Sequence, residues 1–237
     1  MHNAFGVPYN NVLVTGEPRN DYLFNSQESN IIKKLGISRD KKIIIWMPTY
    51  RQNLVSKAND GEEYELGIPL VNSKNIIKLN SICREKGVQL VIKWHSLQQS
   101  HTTDQFQLDS IKFITSEDIA KTKEPLYSLV ANSEALITDY SSIYVNYLVL
   151  NRPICFAYDD IELYKHERGF MFDDVEKIMP GYHTNKIEGV IEFIRQISDG
   201  IDEYSSKRVA VNGVLNKYSD GNNAKRLIDA LRLNAPK

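Results

Sequence analysis

Ala135-Leu136-Ile137-Thr138-Asp139-Tyr140-Ser141-Ser142 runs directly into Ile143-Tyr144-Val145-Asn146-Tyr147-Leu148-Val149-Leu150. The apolar run 135–137 has the length of a buried strand. Hydroxyls and one carboxylate follow, and from Ile143 the apolar residues recur at helical spacing. The order is therefore strand, tight turn, helix. A helix that starts at the carboxyl end of a strand presents unpaired amides and the positive end of its dipole to any anion there. Ser141 or Ser142 can cap that helix, and the same hydroxyls can donate to a phosphate. In the plainer alternative, Asp139 and the two serines are a helix cap and nothing more.

Outward from this stretch, the chain alternates strands and helices. Strands are expected at 11–15, 42–46, 89–93, 111–114 and 153–156. Helices are expected at 28–35, 73–86, 125–132, 184–197, 201–216 and 222–233. Gly36 and Gly87 stand where the first two helices should stop. Residues 1–10 carry Gly6 and Pro8 without periodicity and read as a lead-in or interdomain linker, with 11–237 as the domain. Residues 53–69 are polar and aperiodic, as in a long loop or flap. The alternation predicts an α/β fold, a Rossmann-like doubly wound parallel sheet.

With 237 residues, 42% hydrophobic and 25% charged, the chain has the composition of an ordinary globular protein. Its net charge of -1 gives no electrostatic case for nucleic acid or for a polybasic membrane anchor. Cys83 and Cys155 lie in apolar contexts without a CxxC or histidine-rich companion, so reduced core thiols are expected, as in a cytoplasmic protein. Residues 1–9 lack the charged and apolar regions of a signal peptide, and no window is apolar enough to span a bilayer. The histidines are scattered and none has a carboxylate or thiolate at ligand spacing, so no metal and no cofactor are expected.

In a parallel sheet all strands end on one side, where ligands bind. The expected strand ends deliver Thr49, Tyr50 and Arg51; Lys93 and His95; Thr138, Asp139, Ser141 and Ser142; and Tyr158 and Asp159. Cations, an imidazole, hydroxyls and helix amides at one edge suit a diphosphate better than an apolar ligand. Singly, each has a duller explanation: Arg51 and Lys93 as solvated charges, His95 as an exposed histidine, Arg168 in a surface ion pair.

Five ordered segments carry a more specific signal: Thr15-Gly16-Glu17-Pro18-Arg19-Asn20-Asp21, Met47-Pro48-Thr49-Tyr50-Arg51, Ile92-Lys93-Trp94-His95, Ile137-Thr138-Asp139-Tyr140-Ser141-Ser142 and Arg168-Gly169-Phe170, followed by Pro180-Gly181. Together they resemble the CDP-glycerol glycerophosphotransferase family of teichoic-acid and capsule polymerases. The resemblance implies one half of a GT-B glycosyltransferase fold, the nucleotide-binding half. It implies that His95 is catalytic beside a pyrophosphate, and that Thr49, Arg51, Lys93, Thr138, Asp139, Ser141, Ser142, Arg168 and Gly169 bind the donor, CDP-glycerol or CDP-ribitol. Ser96 stands where the family pattern has proline after the histidine.

By the same resemblance a second histidine, which takes the acceptor proton, belongs to an N-terminal domain not included in this sequence. The acceptor polymer is then expected to be held by that domain or by a separate chain, with peripheral membrane association at most, at the inner face of the cell membrane. Two other readings compete: a nucleotide-diphosphate-binding module without turnover, and a GT-B transferase that uses a UDP-sugar.

Overall fold

A computed structural model describes residues 6–25, 29–49, 64–94, 106–167 and 175–231. Six strands form one wholly parallel sheet: β1 (Lys42–Trp46), β2 (Val88–Lys93), β3 (Ile111–Ile114), β4 (Ala135–Thr138), β5 (Ile154–Ala157) and β6 (Tyr182–Thr184). Their spatial order is β3-β2-β1-β4-β5-β6. That is the order of a doubly wound nucleotide-binding sheet, and it reverses direction between β1 and β4.

The central strands are buried on both faces, so they read as continuous apolar runs rather than alternating ones. Within β1, Ile43 and Ile45 enter one core layer while Ile44 and Trp46 enter the other, as the two-residue strand period requires. The first layer is completed by α1 (Ile31–Lys34), α3 (Ser116–Thr122), α4 (Leu126–Ala131) and α5 (Ile143–Tyr147). The second is completed by α2 (Ile76–Glu85) and α7 (Ile187–Asp199). Along α7, Val190, Ile191, Phe193, Ile194 and Ile197 form the buried stripe, and Gly200 ends the helix at φ +76. Both cysteines are free and fully buried in the second layer, where desolvation pushes the Cys83 thiol up to about 12.

Several expectations need correction. Residues 11–15 are not a strand: a 3-10 turn at Tyr9–Asn11 leads into unpaired chain in which Leu13 and Val14 are more than half exposed. An apolar run alone does not make a strand where no neighbour offers a ladder. The helix expected from Ser73 begins at Ile76, because Asn72 and Asn75 exchange side-chain bonds with each other's backbone and hold a turn first. Helix α1 is only four residues long. The described part of the expected polar flap is a buried strap, with Leu66 and Ile68 in the second core layer.

Three further elements carried no sequence-level expectation: α3, β6 and α6 (Ile161–Glu167). Of these, α3 has a legible signature, a capping box in which Thr115 and Asp118 satisfy each other's backbone N–H. Beyond α7 lie α8 (Ser205–Leu215) and α9 (Asn223–Ala230). No helix among the described residues is long and apolar enough to cross a membrane.

The segment Thr15 to Asp21 serves as a clasp. Both carboxylate oxygens of Asp21 accept from the first amides of α9, Asn223 and Ala224, each at 2.8 Å. Glu17 and Asn20 both accept from the Asn146 side chain on α5, at 2.8 and 2.7 Å. A Cβ on Gly16 would lie 2.1 Å from the Asn223 side chain, so only glycine fits there.

Candidate functional site

The strand order reverses between β1 and β4, and the two chain segments that leave these strands meet at the carboxyl edge. The Met47 N–H extends the ladder to Ile137 O at 2.9 Å, and Thr138 Oγ1 donates back to Met47 O at 2.8 Å. Past these bonds Asp139, fully buried, accepts the Thr49 N–H on Oδ1 and Oδ2 at 3.0 and 2.9 Å. It also accepts the Thr49 hydroxyl at 2.6 Å and the Ser141 N–H at 3.1 Å, both on Oδ1. A buried carboxylate is tolerable only when hydrogen-bonded, and here its donors come from both strand ends. Thr49, Thr138 and Asp139 thus form one brace that fixes the turn carrying the two serines.

Those serines do not cap the helix. Ser142 occupies the N-cap position of α5 in right-handed helical geometry (φ -59, ψ -10) and its side chain makes no capping bond. A capping hydroxyl needs an extended backbone to reach forward to the N2 or N3 amide. Neither serine hydroxyl has a hydrogen-bond partner among the described residues, Ser141 being half-buried and Ser142 exposed. The cap-only alternative is therefore set aside, and two hydroxyls are left at the switch point. Helix α5 has five residues before a 3-10 turn (Leu148–Leu150), so its dipole contributes less than a long helix would.

Of the cations predicted for the site, only Lys93 lies among the described residues. Its ammonium is half-buried and donates to Trp94 O at 3.1 Å and to Ser116 Oγ at 3.3 Å, on the β3 side of the edge. Burial holds its pKa below the usual lysine range. Arg51, His95, Arg168 and Gly169 lie outside the described residues. Trp94, which immediately precedes His95, sits buried at the end of β2 with its indole N–H on Leu66 O at 3.1 Å.

Two features of the site were not legible from local pattern. The strap beginning at Tyr64 ties the end of β2 to the end of β5: Leu66 O holds Trp94, and the Tyr64 hydroxyl donates to Asp159. It bridges the two central strands, a span of about 14 Å at the usual interstrand spacing. Second, Tyr140 stands in an aromatic group, its ring 5.1 Å from Tyr158 and 4.3 Å from Tyr164, with its hydroxyl on Asp160 at 2.8 Å. Both arise from residues distant in sequence, which no short window shows. Among the described residues no group of three or more His, Cys, Asp or Glu side chains is placed to hold a metal ion.

The family model for CDP-Glycerol:Poly(glycerophosphate) glycerophosphotransferase matches residues 1–233. The teichoic acid glycerol-phosphate primase of Bacillus subtilis is 30% identical over 226 residues, which cover 95% of this chain and 52% of that protein. The teichoic acid poly(glycerol phosphate) polymerase of Bacillus spizizenii is 34% identical over 188 residues, 77% of this chain and 44% of that one. Among solved structures, the wall teichoic acid polymerase TagF shares the fold with a TM-score of 0.70 at 24% identity, covering 97% of this chain and 54% of its own. The chain spans about half the length of the curated relatives it matches.

Proposed function

This chain belongs to the CDP-glycerol:poly(glycerophosphate) glycerophosphotransferase family, and from that premise we propose that it is the donor-binding half of such a transferase. The reaction moves glycerol phosphate, or a related polyol phosphate, from its CDP carrier to a polymer hydroxyl in teichoic-acid or capsule synthesis. The acceptor oxygen attacks the phosphorus that bears the polyol, the bond to the bridging oxygen breaks, and CMP leaves.

The observation that carries this reading is the pair of serine hydroxyls, uncommitted to capping, that the Asp139 brace holds at the topological switch point. In this reading they donate to the diphosphate. Arg51, Lys93 and Arg168 neutralise charge that spreads over the phosphoryl oxygens, and Gly169 belongs to the same donor-binding set. His95 donates to the leaving oxygen, a role that imidazole chemistry near neutral pH suits. Transfer of this kind rests on positioning and charge stabilisation, for which a braced turn is suited. Thr49, Thr138 and Asp139 serve the donor by holding that turn. The proton of the acceptor hydroxyl goes to a base outside this chain, so the chain alone binds donor without appreciable turnover.

Calorimetry of the chain with CDP-glycerol, CDP-ribitol, CMP and UDP-glucose tests this. The cytidine ligands should bind and UDP-glucose should bind at least tenfold more weakly. Equal affinity for all four, or no binding of any, refutes the reading.

A further inference from the structure

Residues 15–21 are not among those assigned to the donor, yet they grip the helix that follows the two serines. Helix α5 has five residues, and helices shorter than about 12 residues are marginal on their own. Its direction is therefore set by other parts of the chain. Asn146 stands four residues after Ser142, one turn along on the same face of the helix. Its side chain is buried, and its amide nitrogen donates to Glu17 Oε2 at 2.8 Å and to Asn20 Oδ1 at 2.7 Å. One acceptor is a carboxylate, which fixes the nitrogen rather than the oxygen of the amide towards the clasp. Asn20 is buried as well, and Glu17 is held in place by Arg19.

The same helix is held from the other end of the chain. Val145 O accepts the Asn216 amide at 2.7 Å, just beyond α8, and Asp21 of the clasp caps α9. The Asp139 brace fixes the serine turn only where it leaves β4. Where the turn enters α5, the serines follow the helix. A side-chain oxygen about 5 Å from a helix axis moves by roughly 1 Å for each 10° of rotation. That is enough to stretch a hydrogen bond of about 2.8 Å beyond its useful range. We propose that Asn146 is a positioning residue for the donor: anchored on Glu17 and Asn20, it sets the rotation of α5 and so the place of the Ser141 and Ser142 hydroxyls. The inference rests on the donor reading above and gives residues 15–21 a part in it.

Calorimetry of the 237-residue chain with CMP is the test, with thermal unfolding of each variant in parallel. Asn146→Ala should weaken CMP binding about tenfold, as expected when hydrogen bonds to a charged phosphate are stretched rather than removed. A purely structural role would lower the unfolding temperature and leave the affinity of the folded protein alone. In a Ser142→Ala background the same substitution should weaken CMP binding by less than about threefold, because part of what it positions is gone, while its effect on the unfolding temperature should be the same. Asn146→Asp alone sets two carboxylates together and should lose about tenfold or more. Glu17→Gln/Asn146→Asp reverses donor and acceptor, with the Asn20 amide turned to donate, and should return CMP affinity to within about threefold of wild type. This rescue also decides the matter if Asn146→Ala does not fold. Unchanged CMP affinity in folded Asn146→Ala overturns the inference, and so does an equal loss with and without Ser142. Failure of the double variant to regain what Asn146→Asp loses overturns it too. If the wild type binds neither CMP nor CDP-glycerol, the donor reading falls and the inference with it. If the wild type binds and Asn146→Ala binds equally well, only the inference falls.

Discussion

Replacing Asp139 separates what the brace does for the fold from what the serines do for the ligand. In Asp139→Ala two backbone donors, Thr49 N–H and Ser141 N–H, lose their acceptor where the side chain was fully buried. The Thr49 hydroxyl is half-buried and can turn to water. At about 1–3 kcal/mol for each orphaned donor, the loss should be about 4 kcal/mol. Asp139→Asn keeps the shape. With its amide oxygen at the Oδ1 position it still accepts from the Thr49 hydroxyl and the Ser141 N–H, but its NH₂ then meets the Thr49 N–H at the 2.9 Å contact now made by Oδ2. That opposition and the lost charge should cost about 2 kcal/mol. Urea unfolding followed by circular dichroism measures both. With a slope of about 3 kcal/mol/M, the midpoints should fall by roughly 1.3 M for alanine and 0.7 M for asparagine. An alanine variant within about 0.5 kcal/mol of wild type, or an asparagine variant less stable than the alanine one, would refute the brace.

The serines should behave in the opposite way. Ser141→Ala/Ser142→Ala should shift stability by under about 0.5 kcal/mol, since no cap is lost, while each missing hydrogen bond to a charged phosphate should cost about 1.5–3 kcal/mol of CMP affinity by calorimetry. Gly181→Ala should destabilise by about 2 kcal/mol or more in thermal unfolding, because its Cβ would press on the Ile154 carbonyl at 2.3 Å. Arg208 is fully buried and bonds Asp202 at 2.9 and 2.5 Å, so Asp202→Ala should cost about 3 kcal/mol at neutral pH through an unpaired buried guanidinium. Burial raises the Asp202 pKa, but the hydrogen bond and charge of Arg208 bring it below the ordinary carboxylate value. A depressed folded pKa means that this stability is present above the unfolded value of about 3.9 and is lost as pH falls through the folded one. The Asp202→Asn variant should therefore show a shallower loss of stability below about pH 4 in acid titrations.

Strands whose side chains are covered on both faces announce themselves as apolar runs, and β1 and β4 lie where 42–46 and 135–137 place them, to within a residue. Helix ends marked by glycine in the left-handed region were equally legible, as at Gly36 and Gly87. Local pattern failed where an element is stabilised from elsewhere. The three residues of β6 are too few to show a period and form because Gly181 brings them onto β5. The start of α9 is capped by Asp21, two hundred residues away in sequence, and residues 11–15 look like a strand but find no neighbour to pair with.

The site divides in the same way. Sequence alone supplied residue types that suit a diphosphate, and it supplied the common edge of those that are described, Thr49, Lys93, Thr138, Asp139, Ser141 and Ser142, because parallel strands all end on one side. It could not order the strands, since pairing depends on which faces can be buried together after the chain has folded back. Only the tertiary structure places β1 beside β4. There Asp139 becomes a buried brace between the two strand ends, and the serines are released from capping because the turn it holds gives Ser142 a helical backbone from which its hydroxyl cannot reach the helix amides.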